Sequence, residues 1–208
     1  MRHRPMLFAK VAAGGNKSDK ISIGLIGSHH GTGVTYTGLM LAFYLAEELG
    51  KKTAFIECNN NHDMRLIEEA YEWTSFGNNC FSFQNITCYK ELTTEQLPAI
   101  YGQDYEALVF DFGTDFNLNI CEFMRCGIKI VVAGRAEWEL LKLKNFYECT
   151  KHISGSNKWI YLIRQADVKT IRRLSGELKC TVMSIPAAAD PIMPNRSINR
   201  FFGMLLGL

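Results

Sequence analysis

Residues 21–50, ISIGLIGSHHGTGVTYTGLMLAFYLAEELG, constrain the fold of this chain more than any other stretch. An apolar run with a β-branched start, Ile21–Gly27, leads into a glycine-rich loop. The segment that follows is apolar on most sides, with Leu39, Leu41, Ala42, Phe43, Leu45, Ala46 and Leu49. That pattern predicts a buried helix from about Gly33 to Leu49, and Gly50 suits its C-terminal stop. Thr53–Cys58 then reads as a second strand. Strand, glycine loop, buried helix and strand in succession make a βαβ unit.

The alternation continues to the C-terminus. Helical spacing covers residues 62–73, and a weaker strand signal covers residues 81–89. Strands are predicted at 107–112, 129–133, 159–164 and 181–186. Helices are predicted at 117–125, 136–153, 168–178 and 197–206. Several of these strands are runs of Val, Ile, Leu and Phe without polar alternation, as parallel strands covered on both faces are. The expected fold class is therefore α/β, with a doubly wound, mostly parallel sheet and helices on both faces. In such sheets ligands bind beyond the carboxyl ends of the strands.

Composition narrows the function classes. The chain has 208 residues, 47% of them hydrophobic, which excludes extended disorder. A net charge of +2 without a clustered basic face gives no expectation of specific nucleic-acid binding. Seven cysteines, an odd number with no CxxC, argue against a disulfide framework, zinc or iron–sulfur chemistry. Free thiols in a reducing cytoplasm fit better. The leader MRHRPMLFAKVAAGG is basic, and Lys10 breaks its apolar stretch. Residues 1–19 are expected to be a flexible leader and residues 20–208 a single domain. No run reaches the length of a transmembrane helix.

The residues just past each strand carry the candidate chemistry. After the first strand come Gly27, His29, His30, Gly31, Thr32, Gly33, Val34 and Thr35. Glycines let the backbone pass close to a phosphate, and the helix that follows adds its positive end. Thr35 stands where a phosphate-binding loop places the hydroxyl that binds magnesium. The apolar strand ALVFDF ends beside Asp111, a pattern that sets a carboxylate near a magnesium ion. Thr35 and Asp111 are thus the candidate metal-side groups. Arg135 and Arg164 follow later strands at the same edge, and a guanidinium can clamp phosphate bidentately.

Three stretches carry a family resemblance: GSHHGTGVT, YEALVFDFG and SIPAAADP. The chain resembles the MinD/ParA group of deviant P-loop ATPases (SIMIBI class), and among them most closely the TadZ/CpaE-like proteins of pilus assembly. The resemblance implies a P-loop NTPase fold over residues 20–208, ATP or ADP with magnesium as ligand, a homodimer, and pilus or secretion-system partners. The family loop reads like KGGVGKT. Gly31, Gly33 and Thr35 match it. His29 stands at the family's signature lysine, and Val34 at the general P-loop lysine. Asn59 replaces a carboxylate that ends the family's second strand. The family's purine-reading Asn is not evident in LIRQA.

Phosphoryl transfer depends almost wholly on positioning and charge stabilisation. Losing one transition-state donor costs roughly 10²–10³ in rate. With two lysines and a carboxylate absent, the expectation is weak nucleotide binding with little or no hydrolysis, in a positioning or scaffold factor. Two alternatives are a working ATPase with an atypical loop and a small-molecule ligase resembling dethiobiotin synthetase. MinD-like proteins carry a C-terminal amphipathic helix that lies on membranes. Here the stripe Ile198, Phe201, Phe202 and Leu205 is expected to pack on the sheet instead, leaving the protein cytoplasmic, with membrane association the alternative.

Overall fold

The computed structural model describes residues 20–71, 74–76, 79–83, 85–193 and 195–207. The leader expected over residues 1–19 lies outside the described residues. The chain opens with β1 (Ile21–Gly27), α1 (Val34–Phe43), β2 (Thr53–Glu57), α2 (Asp63–Tyr71), β3 (Thr74–Phe76), β4 (Cys80–Phe83) and β5 (Ile86–Tyr89). It continues through α3 (Leu97–Tyr101), β6 (Ala107–Asp111), α4 (Phe116–Arg125), β7 (Ile128–Ala133), α5 (Glu137–Thr150) and β8 (Ile160–Arg164). It closes with α6 (Val168–Leu178), β9 (Thr181–Ile185) and α7 (Arg196–Leu206).

The nine strands form one sheet in the order β3-β4-β5-β2-β6-β1-β7-β8-β9. From β5 to β9 every neighbouring pair is parallel, while β3–β4 and β4–β5 are antiparallel. The doubly wound, mostly parallel α/β sheet expected from the apolar runs is what forms. One detail differs. Residues 81–89 do not make one strand, because β4 and β5 fold against each other as a hairpin. Each is only four residues long, too short for a single-strand pattern to separate them.

Alternate residues of each strand feed two cores, which is why the strands show no polar face. Ile23, Leu25, Phe55, Val109, Ile130 and Leu162 join the core shared with α1, α2 and α7. Ile26, Ile56, Phe110, Val131 and Ile163 join the core under α3, α4, α5 and α6. Every residue of α1 from Thr37 to Phe43 is buried. In α7 the stripe Ile198, Phe201, Phe202 and Leu205 faces the sheet and is at most 5% exposed. Among the described residues no helix is long and apolar enough to cross a membrane.

The chain leaves β1 toward β2, and β6 later enters between them, with β7 on the other side of β1. The carboxyl ends of β1, β2, β6, β7 and β8 therefore line one edge, at the position where such sheets take ligands.

Candidate functional site

The loop between β1 and α1 turns on two glycines. Gly31 and Gly33 have φ of 80° and 82°, a left-handed conformation that glycine adopts without a side-chain penalty. A methyl group added to Gly31 would meet nothing within 4 Å, so the loop is open there. A methyl added to Gly27 would lie 2.5 Å from Thr32 Oγ1 and 2.9 Å from Val34 Cγ2, so the loop is closed at its base. The Gly27 N–H donates to the Gly113 carbonyl (2.8 Å) and the Ser28 N–H to the Val132 carbonyl (3.0 Å). These bonds fix the start of the loop to the segment that follows β6 and to the end of β7. Gly33 is the N-cap of α1, no side chain caps the helix, and its first turn holds no acidic residue. The positive end of α1 is thus left free for an anion. Val34, at the lysine position, is buried in the core, and Thr32 is 1% exposed with its hydroxyl unpartnered among the described residues.

Three carboxylates stand beside this loop. Asp111 and Glu57 end neighbouring strands, pair in register, and are both fully buried. Asp111 Oδ1 accepts the Gly113 N–H at 2.8 Å, while Oδ2 has no hydrogen-bond partner among the described residues. Burial pushes the Asp111 carboxyl up to about 6, against the downward pull of the Thr35 hydroxyl and the Gly113 N–H. Glu57 accepts the N–H groups of Met64 and Glu91, each at 3.2 Å, tying the end of β2 to α2 and to the segment after β5. Burial raises Glu57 to about 7, and the Asp111 charge adds to the rise. Asp63, the first residue of α2, accepts the Thr35 hydroxyl at 3.0 Å. The buried Asp111, the hydroxyl of Thr35 and the carboxylate of Asp63 thus lie together.

Sequence reasoning did not single out Asp63 or Glu57. Asp63 resembles an ordinary first-turn acid, favourable at any helix N-terminus, and only the fold brings it to Thr35. Asn59 donates its amide to the Asp111 carbonyl at 3.1 Å and packs on Gly113.

The cations divide into two kinds. Arg164 leaves the end of β8 and reaches the loop, so a methyl added to Gly33 would lie 3.0 Å from its Nη1. The guanidinium carbon is 6.0 Å from the Tyr36 ring centre, a cation–π contact that steadies it at the start of α1. His29 is engaged elsewhere. Its Nδ1 is 3.0 Å from the Ser28 hydroxyl and its Nε2 is 3.4 Å from Glu139 Oε1. Glu139 also accepts the Ala136 N–H at 2.9 Å, one half of a capping box on α5. That N–H, followed by His29, holds the Glu139 carboxyl below its usual value. His30 is exposed, with Nε2 3.4 Å from Thr114 Oγ1. Arg135 is exposed and makes no ion pair among the described residues.

These groups fit a phosphate chain better than they fit a bare metal. Two left-handed glycines, an uncapped helix start and one guanidinium suit phosphate oxygens. Among the described residues no group of three or more His, Cys, Asp or Glu could hold a metal ion. Magnesium rarely needs such a group, since it keeps several waters and uses one or two protein ligands together with phosphate. The unpartnered Oδ2 of Asp111 and the Thr35 hydroxyl are suited to that role.

No protein-family model matches the chain, and no curated protein sequence does. Solved structures do match. The MinD cell division protein of Aquifex aeolicus superposes with a TM-score of 0.69 at 14% identity, over 90% of this chain and 98% of that one. A plasmid partition protein of Borrelia burgdorferi bound to AMPPNP gives 0.65 at 11% identity, over 91% and 100%. The septum site-determining protein MinD of Pyrococcus horikoshii, complexed with Mg-ADP, gives 0.53 at 13%, over 86% and 85%. At these identities the likeness speaks for architecture, and the chain has the fold of the MinD/ParA P-loop ATPases.

Proposed function

We propose that this protein binds ATP or ADP with magnesium at the β1–α1 loop, weakly, and hydrolyses it slowly or not at all. The loop amides of residues 31–35 and the Arg164 guanidinium would hold the phosphates. Thr35 and Asp111 would hold the ion, whose chemistry is to neutralise charge between phosphate oxygens. Val34 supplies no charge at the lysine position, and His29 is bound to Glu139. The observation that carries the reading is the reach of Arg164, at the end of β8 two strands from β1, to Gly33, which supports a cation for the loop supplied from outside it. A cation that binds ground-state phosphate without following the charge to the transition state supports affinity more than rate.

On this reading nucleotide acts as a conformational signal, and the protein works as a positioning or scaffold factor, as a homodimer. The likeness to MinD and to a plasmid partition protein supports the positioning role. The sequence resemblance to TadZ/CpaE-like proteins adds pilus or secretion-system components as the partners to try first. A second reading, a working ATPase, is favoured by the same arginine if it also serves the transition state.

One pair of measurements separates them. Titration of ATP with magnesium into the full chain should show binding that Arg164→Ala weakens about tenfold or more, the loss of a charge-assisted contact. Phosphate release should stay near background in the same preparation. Clear turnover abolished by Asp111→Ala establishes the second reading, and no nucleotide binding at all overturns both.

A further inference from the structure

Asp63 stands in an unexpected place for an acid. Its Oδ2 accepts the Thr35 hydroxyl at 3.0 Å, and Thr35 is the second residue of α1. A carboxylate therefore lies against the same helix start that is left free for an anion. Helix α1 has no acid in its own first turn, so this charge is brought in from α2.

The fold holds Asp63 in position. Glu57, fully buried, accepts the N–H groups of Met64 and Glu91, which ties the first turn of α2 to the end of β2. His62, just before Asp63, has φ of 62°, and Glu91 has φ of 52°, left-handed values that are costly for residues with a β-carbon. Their side chains meet, with His62 Nδ1 2.6 Å from Glu91 Oε1. Arg65 is the one cation of α2, and it is spent on Glu91, with Nε 2.5 Å from Oε1 and Nη2 2.9 Å from Oε2. Helix α2 thus leaves the Asp63 charge without a counter-ion.

Two properties of a ligand decide how it meets this acid. The first is charge. Phosphate oxygens brought to the start of α1 approach the Asp63 carboxylate, and like charges at close range oppose each other. The second is the need for a proton. A threonine hydroxyl has one to donate, and Thr35 gives it to Asp63. The Thr35 oxygen then offers only lone pairs, which repel an ionised phosphate oxygen and suit a cation. A doubly charged cation on the phosphates reverses both effects. We propose that Asp63 is a specificity-determining residue, which admits nucleotide carrying magnesium and turns away metal-free nucleotide and free phosphate. The proposal rests on the nucleotide reading of the glycine loop. Gly31, Gly33, the positive end of α1 and Arg164 attract an anion with or without a metal, so the discrimination falls to the acid.

The test is calorimetric titration of the full chain with ADP in magnesium, with ADP in EDTA, and with pyrophosphate in EDTA. Wild type should bind the first, and the other two about tenfold more weakly or not at all. Asp63→Asn should strengthen metal-free ADP and pyrophosphate about tenfold, as removal of one adjacent like charge requires, and leave ADP with magnesium equal or weaker. A merely structural role for Asp63 would not produce this gain. Asn also accepts the Thr35 hydroxyl, so the thermal melt of the variant should stay close to that of wild type. Glu148→Gln, which removes an exposed acid near the end of α5, should change none of these affinities. An equal gain from Glu148→Gln assigns the effect to net charge and overturns the proposal. Binding of ADP with magnesium by wild type, with no metal-free gain in Asp63→Asn, overturns it and leaves the nucleotide reading standing. Equal affinity of wild type for ADP with and without magnesium does the same. Absence of binding under every condition overturns the nucleotide reading and this proposal with it.

Discussion

Replacing Asp111 by Asn should flatten an unusual pH dependence of stability. Asp111 and Glu57 are fully buried, and their carboxyls are raised to about 6 and about 7. This reverses the usual carboxylate case. The folded chain holds these protons more tightly than the unfolded chain, so the two groups favour the fold at low pH. That stability is lost as pH rises from the unfolded value through the folded one. For Asp111, from the ordinary value of 3.8 to about 6, the loss is roughly 3 kcal/mol, and for Glu57, from 4.5 to about 7, it is similar. The two losses do not simply add, because each charge raises the other's proton affinity. Part of this has already been lost by pH 5, and about 2.5–4 kcal/mol is lost between pH 5 and 8. At roughly 2–4 °C per kcal/mol for a chain of this size, Tm should fall by about 5 °C or more over that interval. Below pH 5 the trend should reverse as Glu91, Glu139 and Asp167 lose their partners, since their carboxyls are held below normal. Scanning calorimetry of wild type, Asp111→Asn and Glu57→Gln in magnesium-free buffers measures this. Each variant should be less sensitive to pH than wild type. A wild-type Tm that is level or rising from pH 5 to 8 refutes the reasoning.

Deleting residues 197–208 should lower Tm sharply or leave the protein insoluble in a solubility and melting assay. The four core side chains of α7 contribute about 1.5–3 kcal/mol each. Gly134→Ala should cost about 1–2 kcal/mol in a urea melt, because the new methyl would lie 2.1 Å from Glu139 Cδ and displace the cap of α5. The same substitution frees His29, so an upfield or downfield shift of the His29 ring signals by NMR should accompany it. Val34→Lys alone should leave phosphate release near background, since His29 stays tied to Glu139 and Asn59 supplies no carboxylate.

The sheet was legible because its strands are buried on both faces, and runs such as ALVFDF and KIVVA have few other uses. The first βαβ unit was legible for the further reason that glycines punctuate it. The β4–β5 hairpin was not, because two four-residue strands with no NG or DG turn between them merge into one apolar run. The five-residue α3 is too short to show a period. Within the site, Thr35 and Asp111 could be found from the motif. Asp63 could not, because its pairing with Thr35 spans 28 residues and depends on where α2 begins. Nor did sequence position distinguish Arg164 from Arg135. Both follow a strand at the same edge, yet only Arg164 lies against the loop, since β8 ends beside the start of α1 while Arg135 turns outward.

The burial of α1 from Thr37 to Phe43 has a kinetic consequence. A helix enclosed by Leu25, Phe55 and the stripe of α7 has no free face on which to rock. Its first turn is therefore held in one orientation before any ligand arrives. An anion docking there orders little of the protein, so association should be a single fast step without a slow isomerisation phase in stopped-flow traces. Any movement that nucleotide sets off must begin outside α1, in the segment after β2, where Asp63 accepts the Thr35 hydroxyl and Asn59 donates to the Asp111 carbonyl. The rigid half of the site would then report occupancy, and the segment after β2 would pass it on.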